Sequence, residues 1–78
     1  MRITVEVVGH LISLVPNQSS RFVFELDEPV TIGALVDRHI QVDSRVFASF
    51  VVDGAIRKRD YLIKEDSEVF LISPAAGG

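Results

Sequence analysis

The sequence has no cysteine, and its acidic residues outnumber its basic ones. Without cysteine the chain cannot form a disulfide scaffold, a cysteine-based zinc site, an iron–sulfur cluster or a thiol nucleophile. With 11 Asp and Glu against 8 Lys and Arg, the formal net charge is -3, so no basic surplus is available to neutralise nucleic-acid phosphates. These absences argue against nucleic acid as a partner, and they mean that any sulfur chemistry needs another atom of the protein.

Long apolar runs are missing as well. The longest stretch without Lys, Arg, Asp or Glu is residues 7–20, and His10, Pro16 and Asn17 interrupt it, whereas a membrane-spanning helix needs about 20 apolar residues. Residues 1–4 lead straight into an alternating pattern and lack the apolar core of a signal peptide. We therefore expect a cytoplasmic protein that does not enter a membrane.

The length of 78 residues, with 47% apolar and 24% charged residues, is that of one small globular domain. A chain of this size buries only about 60% of the surface that its unfolded form exposes, which leaves little interior for an enclosed active site. No phosphate-binding glycine loop is present, and Tyr61 and the serines have no catalytic base at a suggestive spacing. We expect binding or carrier work, with no self-contained active site.

Alternating or continuous apolar segments predict the strands: residues 2–8, 21–26, 46–52, 55–57 and 69–72, with residues 61–63 covering an edge of the core. Asp53-Gly54 is a turn signal that joins the third strand to its short return. Thr31 is placed to cap a short helix that frays near Ile40, and Gly33 weakens this helix. Helical spacing gives the helix an inner face: Ile32, Leu35, Val36 and His39.

The order β-β-α-β-(short β)-β predicts an α+β protein with the ubiquitin-like β-grasp fold, in which a mixed sheet of four to five strands wraps one main helix. The first and last strands are expected to lie in parallel, because their connection passes through the helix. Residues 1–73 are expected to form this domain, and residues 74–78 a flexible C-terminal tail. The candidate core takes residues from each element: Ile3, Val5, Val7, Phe22, Phe24, Leu26, Leu35, Val36, Phe50, Val52, Leu62, Val69 and Leu71.

The C-terminal tail contains the residues that suggest a chemical function. Pro74 ends the last strand, because proline cannot donate to a ladder, and only the small residues Ala75, Ala76, Gly77 and Gly78 follow. Since glycine has no Cβ, a Gly-Gly end can be drawn through a narrow channel to the α-phosphate of ATP. The acyl-adenylate on Gly78 can then pass to a sulfur donor, which gives a thiocarboxylate, or to an amine, which gives an isopeptide.

The C-terminal segment, residues 66–78, resembles the signature of the MoaD/ThiS sulfur-carrier family, in which an acidic turn, an apolar strand, a proline and a small residue precede Gly-Gly. Residues 30–35 and 50–54 resemble the start of that family's helix and its strand before a turn glycine. The sequence departs from the family at Ala34, where an acidic residue is usual, and at Asp53, where asparagine is usual. The Pro-x-Ala-Gly-Gly ending is more similar to the molybdopterin-synthase small subunit, MoaD, than to the shorter thiamine-pathway carrier, ThiS.

The resemblance implies a sulfur carrier that binds no cofactor itself. An activating adenylyltransferase of the MoeB/ThiF type would adenylate Gly78 with ATP and Mg²⁺, and a cysteine desulfurase or a rhodanese would supply sulfur for the thiocarboxylate. In the molybdopterin case, the tail enters a larger MoaE-like synthase subunit and donates sulfur to a pterin precursor. The product is the dithiolene that binds molybdenum or tungsten, and the chain would be the sulfur-carrier subunit of that enzyme complex.

A partner surface is expected on the outer face of the sheet. Phe70 and Ile72 should point away from the core, where a sheet with one helix has no cover within the chain, and Val51 lies beside them. The candidate partner-binding residues lie on this face or in the tail: Val51, Phe70, Ile72, Pro74, Ala75 and Ala76.

Three functions stay open from the residues alone. The protein is a sulfur carrier, a ubiquitin-like modifier conjugated to lysines through Gly78, or a non-covalent interaction module with incidental terminal glycines. His10 and His39 have no partner at metal-ligand spacing, so no metal site is expected. The run Arg57-Lys58-Arg59 is interpreted as a solvated hairpin. The sequence does not distinguish a pterin from a thiazole, an amino acid or a tRNA base as the sulfur acceptor.

Overall fold

The computed structural model of the protein describes residues 1–14 and 20–74. Seven strands lie within these ranges: β1 (Arg2–Val8), β2 (Arg21–Glu25), β3 (Val30–Thr31), β4 (Ser49–Val52), β5 (Ala55–Arg57), β6 (Leu62–Ile63) and β7 (Ser67–Ile72). The helix, α1, starts as an α-helix over Ile32–Ala34 and continues as a π-helix over Leu35–Ile40. Short 3-10 turns occupy His10–Leu14 and Ser44–Val46.

Five of the strands form one mixed sheet in the order β2-β1-β7-β4-β5. The central strands β1 and β7 are parallel, with Val5 opposite Val69, and the other pairs in this sheet are antiparallel. The strands β3 and β6 form a separate two-stranded ladder. A mixed sheet with one helix packed on one face is the β-grasp fold, so the prediction of fold class and of the parallel first and last strands is confirmed.

The hydrophobic core lies between the helix and the inner face of the sheet. Alternate residues of the three central strands point inward and meet the buried side of α1. The buried apolar residues form a single cluster: Ile3, Val5, Val7, Ile32, Leu35, Val36, Ile40, Val42, Phe47, Phe50, Val52, Ile63, Val69 and Leu71. Phe22, Phe24 and Leu26 pack against it from the edge strand and stay half-buried. No helix among the described residues is long and apolar enough to span a membrane.

The start of the helix is capped as predicted. The Oγ1 atom of Thr31 accepts a hydrogen bond from the N–H of Ala34 at 3.1 Å, and the first two helical N–H groups donate to the carbonyls of Tyr61 and Arg59 at 3.1 and 2.9 Å. At Gly33, a Cβ would lie 2.8 Å from Cγ of Arg59. Glycine therefore allows the chain around Arg59 to approach the helix closely, a packing role beyond its low helix propensity.

Three sequence predictions are wrong in detail. Leu62 was placed in the core but is 42% exposed, because the pairing of β6 with β3 turns Ile63 inward instead. His39 was placed on the inner face of the helix, but the wider π-helical turn leaves it exposed and buries Ile40. The strand predicted over residues 46–52 is β4, which begins only at Ser49, because Val46 lies in a 3-10 turn.

Candidate functional site

The outer face of the sheet carries a continuous apolar surface across four strands. Phe70 in β7 lies opposite Val51 in β4, which in turn lies opposite Ile56 in β5. One step further along the central pair, Ile72 lies opposite Val8 of β1. We call these residues the outer patch: Val8, Val51, Ile56, Phe70 and Ile72. Phe70, Ile72 and Val51, which the sequence suggested as partner-binding residues, are thus neighbours on this face.

The members of the outer patch differ in exposure. Ile56 is 77% exposed and Val8 is 42% exposed, whereas Val51, Phe70 and Ile72 are half-buried. Since an apolar side chain gains about 1.5 to 3 kcal/mol on full burial, Ile56 has the most to gain from a covering partner. The outer patch therefore combines a packed centre with an exposed end.

Charged residues border the outer patch on its β1 and β2 side. Glu6 lies opposite both Phe70 and Arg21, so an acidic and a basic side chain flank the apolar row. At the other end, the N–H of Glu68 donates to Oδ1 of Asp53 at 2.9 Å, and the carbonyl of Glu68 accepts from the N–H of Asp53 at 2.9 Å. An apolar centre with a polar rim is the usual composition of a protein interface.

The chain leaves the sheet beside the outer patch, at Ser73. The N–H of Ser73 donates to the carbonyl of Val8 at 2.9 Å, which extends the parallel ladder by one bond. Its Oγ accepts a hydrogen bond from the N–H of Leu11 at 3.1 Å. Gly9 packs against it so closely that a Cβ would lie 2.6 Å from Cβ of Ser73. We call Ser73 with these contacts the tail root.

Pro74 follows the tail root and is exposed. The remaining predicted tail residues, Ala75, Ala76, Gly77 and Gly78, lie outside the described residues. The structure therefore fixes where the tail begins, next to Val8 and Ile72 of the outer patch, and the chemistry assigned to Gly78 stays a prediction.

Sequence reasoning missed two members of the outer patch and the partners of the tail root. Val8 and Ile56 could have been found, because strand alternation puts Val8 on the side opposite Val7, and the hairpin at Asp53-Gly54 sets Ile56 against Val51. No local signal connects Gly9 with Ser73, since this contact depends on how two distant segments pack.

The charged groups of the described residues form no second site. The guanidinium of Arg45 hydrogen-bonds the carboxylate of Asp43 at 2.9 Å and lowers the pKa of Asp43 to about 2. Arg2 pairs with Glu25 at 2.6 Å, and both pairs are largely exposed. No group of three or more His, Cys, Asp or Glu side chains that could hold a metal ion occurs in the described part of the chain.

A shallow depression of about 500 Å³ lies on the opposite side of the molecule, at the start of the helix, and Arg38, Arg45 and Arg59 contribute to its wall. The helix offers no free donor to an anion there. The N–H groups of Ile32 and Gly33 are occupied by backbone carbonyls, and the next one is occupied by the capping threonine. The depression is thus a weaker candidate site than the outer patch and the tail root.

No protein-family model matches the sequence, and no curated protein matches it. Among solved structures, the crystal structure of SAMP1 from Haloferax volcanii superposes on this chain with a TM-score of 0.71. The alignment covers 100% of both chains at 21% sequence identity. At this identity the likeness shows the fold: the chain is a ubiquitin-like β-grasp domain of the same extent as SAMP1.

Proposed function

We propose that this protein is a sulfur carrier whose Gly78 carboxylate is adenylated and then converted to a thiocarboxylate. The observation that carries the proposal is the position of the outer patch beside the tail root. A partner that covers the patch holds the domain at the side where the chain leaves β7, so the residues after Ser73 start next to the interface. The ubiquitin-like fold and the Gly-Gly sequence of the tail support the same function.

The chemistry needs three substitutions, the first two at the Gly78 carboxylate, and no acid or base from the described residues. First, an oxygen of the Gly78 carboxylate attacks the α-phosphorus of Mg-ATP held by an activating enzyme, and pyrophosphate leaves. Second, the outer sulfur of a persulfide on a donor protein, such as a cysteine desulfurase or a rhodanese, attacks the acyl carbon and AMP leaves, which gives an acyl disulfide. Third, a thiolate supplied with the donor protein attacks the donor's own sulfur in this disulfide, so the thiocarboxylate leaves and the two donor thiols end as a disulfide. The chain supplies the reacting carbonyl and the docking surface, and its partners supply catalysis.

The acceptor that we propose is a pterin precursor. The support is the similarity of residues 66–78 to the molybdopterin-synthase small subunit. In this role the outer patch would seat a larger synthase subunit, and the tail would carry the thiocarboxylate into that subunit's active site. Reconstitution tests this step: the thiocarboxylated protein, mixed with the larger subunit and the pterin precursor, should yield the dithiolene, and the carboxylate form should yield none.

The first experiment is intact-mass spectrometry of the protein isolated from its own cells, with and without an alkylating reagent. A thiocarboxylate adds about 16 Da, because sulfur replaces oxygen. Oxidation of Met1, the single methionine, adds nearly the same mass. The alkylating reagent distinguishes the two modifications, because it reacts with a thiocarboxylate and not with a sulfoxide. Since the chain has no cysteine, no thiol side chain adds to the alkylation signal. Fragment ions should then place the added group on Gly78.

A matched variant without Gly78 controls this measurement, since it keeps the domain and the outer patch. It should show neither the mass gain nor the alkylation. Conjugates of the unmodified protein to lysines of other proteins would favour the ubiquitin-like modifier, which uses the same adenylate with an amine as the nucleophile. An unmodified mass without conjugates, together with no adenylation by an activating enzyme from the same cells, would contradict both functions.

A further inference from the structure

The tail root holds the chain at the last position that can donate to the sheet. Pro74 has no N–H, so the parallel ladder ends with the hydrogen bond from Ser73 to Val8. One more contact fixes the same residue: the Oγ of Ser73 accepts from the N–H of Leu11, a bond between residues 62 positions apart. This bond ties the 3-10 turn after β1 to the end of β7.

Gly9 makes the third contact that holds Ser73. Gly9 has a φ of +105°, a conformation that residues with a Cβ rarely adopt, and an added Cβ would lie 2.6 Å from Cβ of Ser73 and 2.8 Å from its Oγ. The backbone of Gly9 therefore lies against the Ser73 side chain. Ser73 is held by the ladder below it, by Leu11 at its hydroxyl and by Gly9 at its Cβ.

We infer that Ser73 is a positioning residue that fixes the point and the direction from which the tail starts, and so presents the Gly78 carboxylate to the activating enzyme. This inference rests on the proposed function. Five residues span at most about 18 Å at 3.3 to 3.6 Å per residue, so the α-phosphorus must lie within about that distance of Ser73. For so short an arm, an error in the starting direction moves the reacting carboxylate by several ångströms, and such displacements cost rate.

Within the tail root, the hydrogen bond from the N–H of Leu11 depends on a single side-chain atom, the Oγ of Ser73. The substitution Ser73→Ala removes the Oγ acceptor and leaves the ladder bond to Val8. A neutral hydrogen bond of this kind contributes a factor of about two to ten, so we expect adenylation to slow by about that factor. The outer patch is untouched, so the concentration of carrier that gives half the maximal rate should not change.

The test is pyrophosphate exchange catalysed by the activating enzyme from the same cells, with Mg-ATP and varied carrier concentrations. The Ser73→Ala variant should lower kcat about two- to tenfold at unchanged KM. Ser73→Thr keeps the hydroxyl and should restore kcat. Ser13→Ala is the matched control, because the Ser13 hydroxyl donates to the carbonyl of His10 in the same 3-10 turn, and it should match the wild type.

Three outcomes decide the inference. Equal kcat for Ser73→Ala and wild type, or a change in KM alone, overturns the positioning role and leaves the proposed function standing. No exchange with the wild-type protein overturns the proposed function together with the inference. If circular dichroism shows that Ser73→Ala does not fold, kcat is compared between Ser73→Thr and Gly9→Ala. A folded Gly9→Ala variant with unchanged kcat overturns the positioning role of Ser73.

Discussion

The exposed end of the outer patch gives the most direct test of partner docking. Ile56 is 77% exposed in the free protein, so its side chain is available to a partner and contributes little to folding. The substitution Ile56→Ala removes roughly three carbons, worth about 2.4 kcal/mol on full burial at about 0.8 kcal/mol each. Scaled by the exposed fraction, the loss is about 1.8 kcal/mol, which weakens the Kd by about 20-fold.

The assay is isothermal titration calorimetry with the proposed activating enzyme and, separately, with the proposed larger synthase subunit. Val23→Ala is the matched control, because Val23 lies on the same outer face in β2, is 55% exposed and is outside the outer patch. Its Kd should stay within about twofold of the wild type, and both variants should unfold within about 0.5 kcal/mol of it. A Kd for Ile56→Ala within twofold of the wild type, or an equal loss for Val23→Ala, would refute docking through the outer patch.

Three further predictions concern stability and charge. Gly9→Ala should lower the free energy of unfolding in urea by about 2 to 4 kcal/mol, because it adds a steric clash to a positive φ. Gly54→Ala also has a positive φ but meets nothing within 4 Å, so it should lose only about 1 kcal/mol, and equal losses would contradict the clash. Ser44 is buried, and its hydroxyl has no hydrogen-bond partner within the described part of the chain, so in the same assay Ser44→Ala should leave stability unchanged or raise it by about 1 kcal/mol, and a clear loss would show that the hydroxyl is bonded. Arg45→Ala should return the pKa of Asp43 from about 2 toward its ordinary value of 3.8, as read by NMR titration; since the folded pKa is the lower one, the stabilisation by this pair is present above pH 3.8 and fades as the pH falls toward 2.

Much of the central sheet could be predicted, because a strand with one buried face leaves a period of two in the sequence. In β1 that period is long enough to decide which residues point inward, and a shift of one position would have exposed the core. In β7 residues 69–72 are continuously apolar, which predicts a central strand; strand geometry puts Phe70 and Ile72 together on the face opposite Val69 and Leu71.

The predictions failed where the local pattern was too short or the contact was too distant. Leu62 and Ile63 are both apolar and form a strand of two residues, so only the pairing with β3 decides which of them is buried. The tail root depends on Gly9 meeting Ser73, and a single sequence contains no signal that relates two positions so far apart. Packing between distant segments, rather than local preference, settles both features.

The proposed function gives separate tasks to the outer patch and to the Gly78 carboxylate, and that separation has a measurable consequence. In the proposed function, docking depends on apolar area across four strands, whereas reaction depends on the last residue of the tail. A variant without Gly78 should therefore bind the activating enzyme through the outer patch, undergo no adenylation, and compete with the wild-type protein. Its inhibition constant in the exchange assay should lie within about threefold of the wild-type Kd, since tail contacts beyond the patch add less than about 0.7 kcal/mol on this view.

Adding Ile56→Ala to the same variant should weaken the inhibition about 20-fold, because the outer patch is then the source of nearly all the affinity. If the variant without Gly78 fails to inhibit, the tail itself supplies the affinity, and the outer patch has to be assigned to another partner.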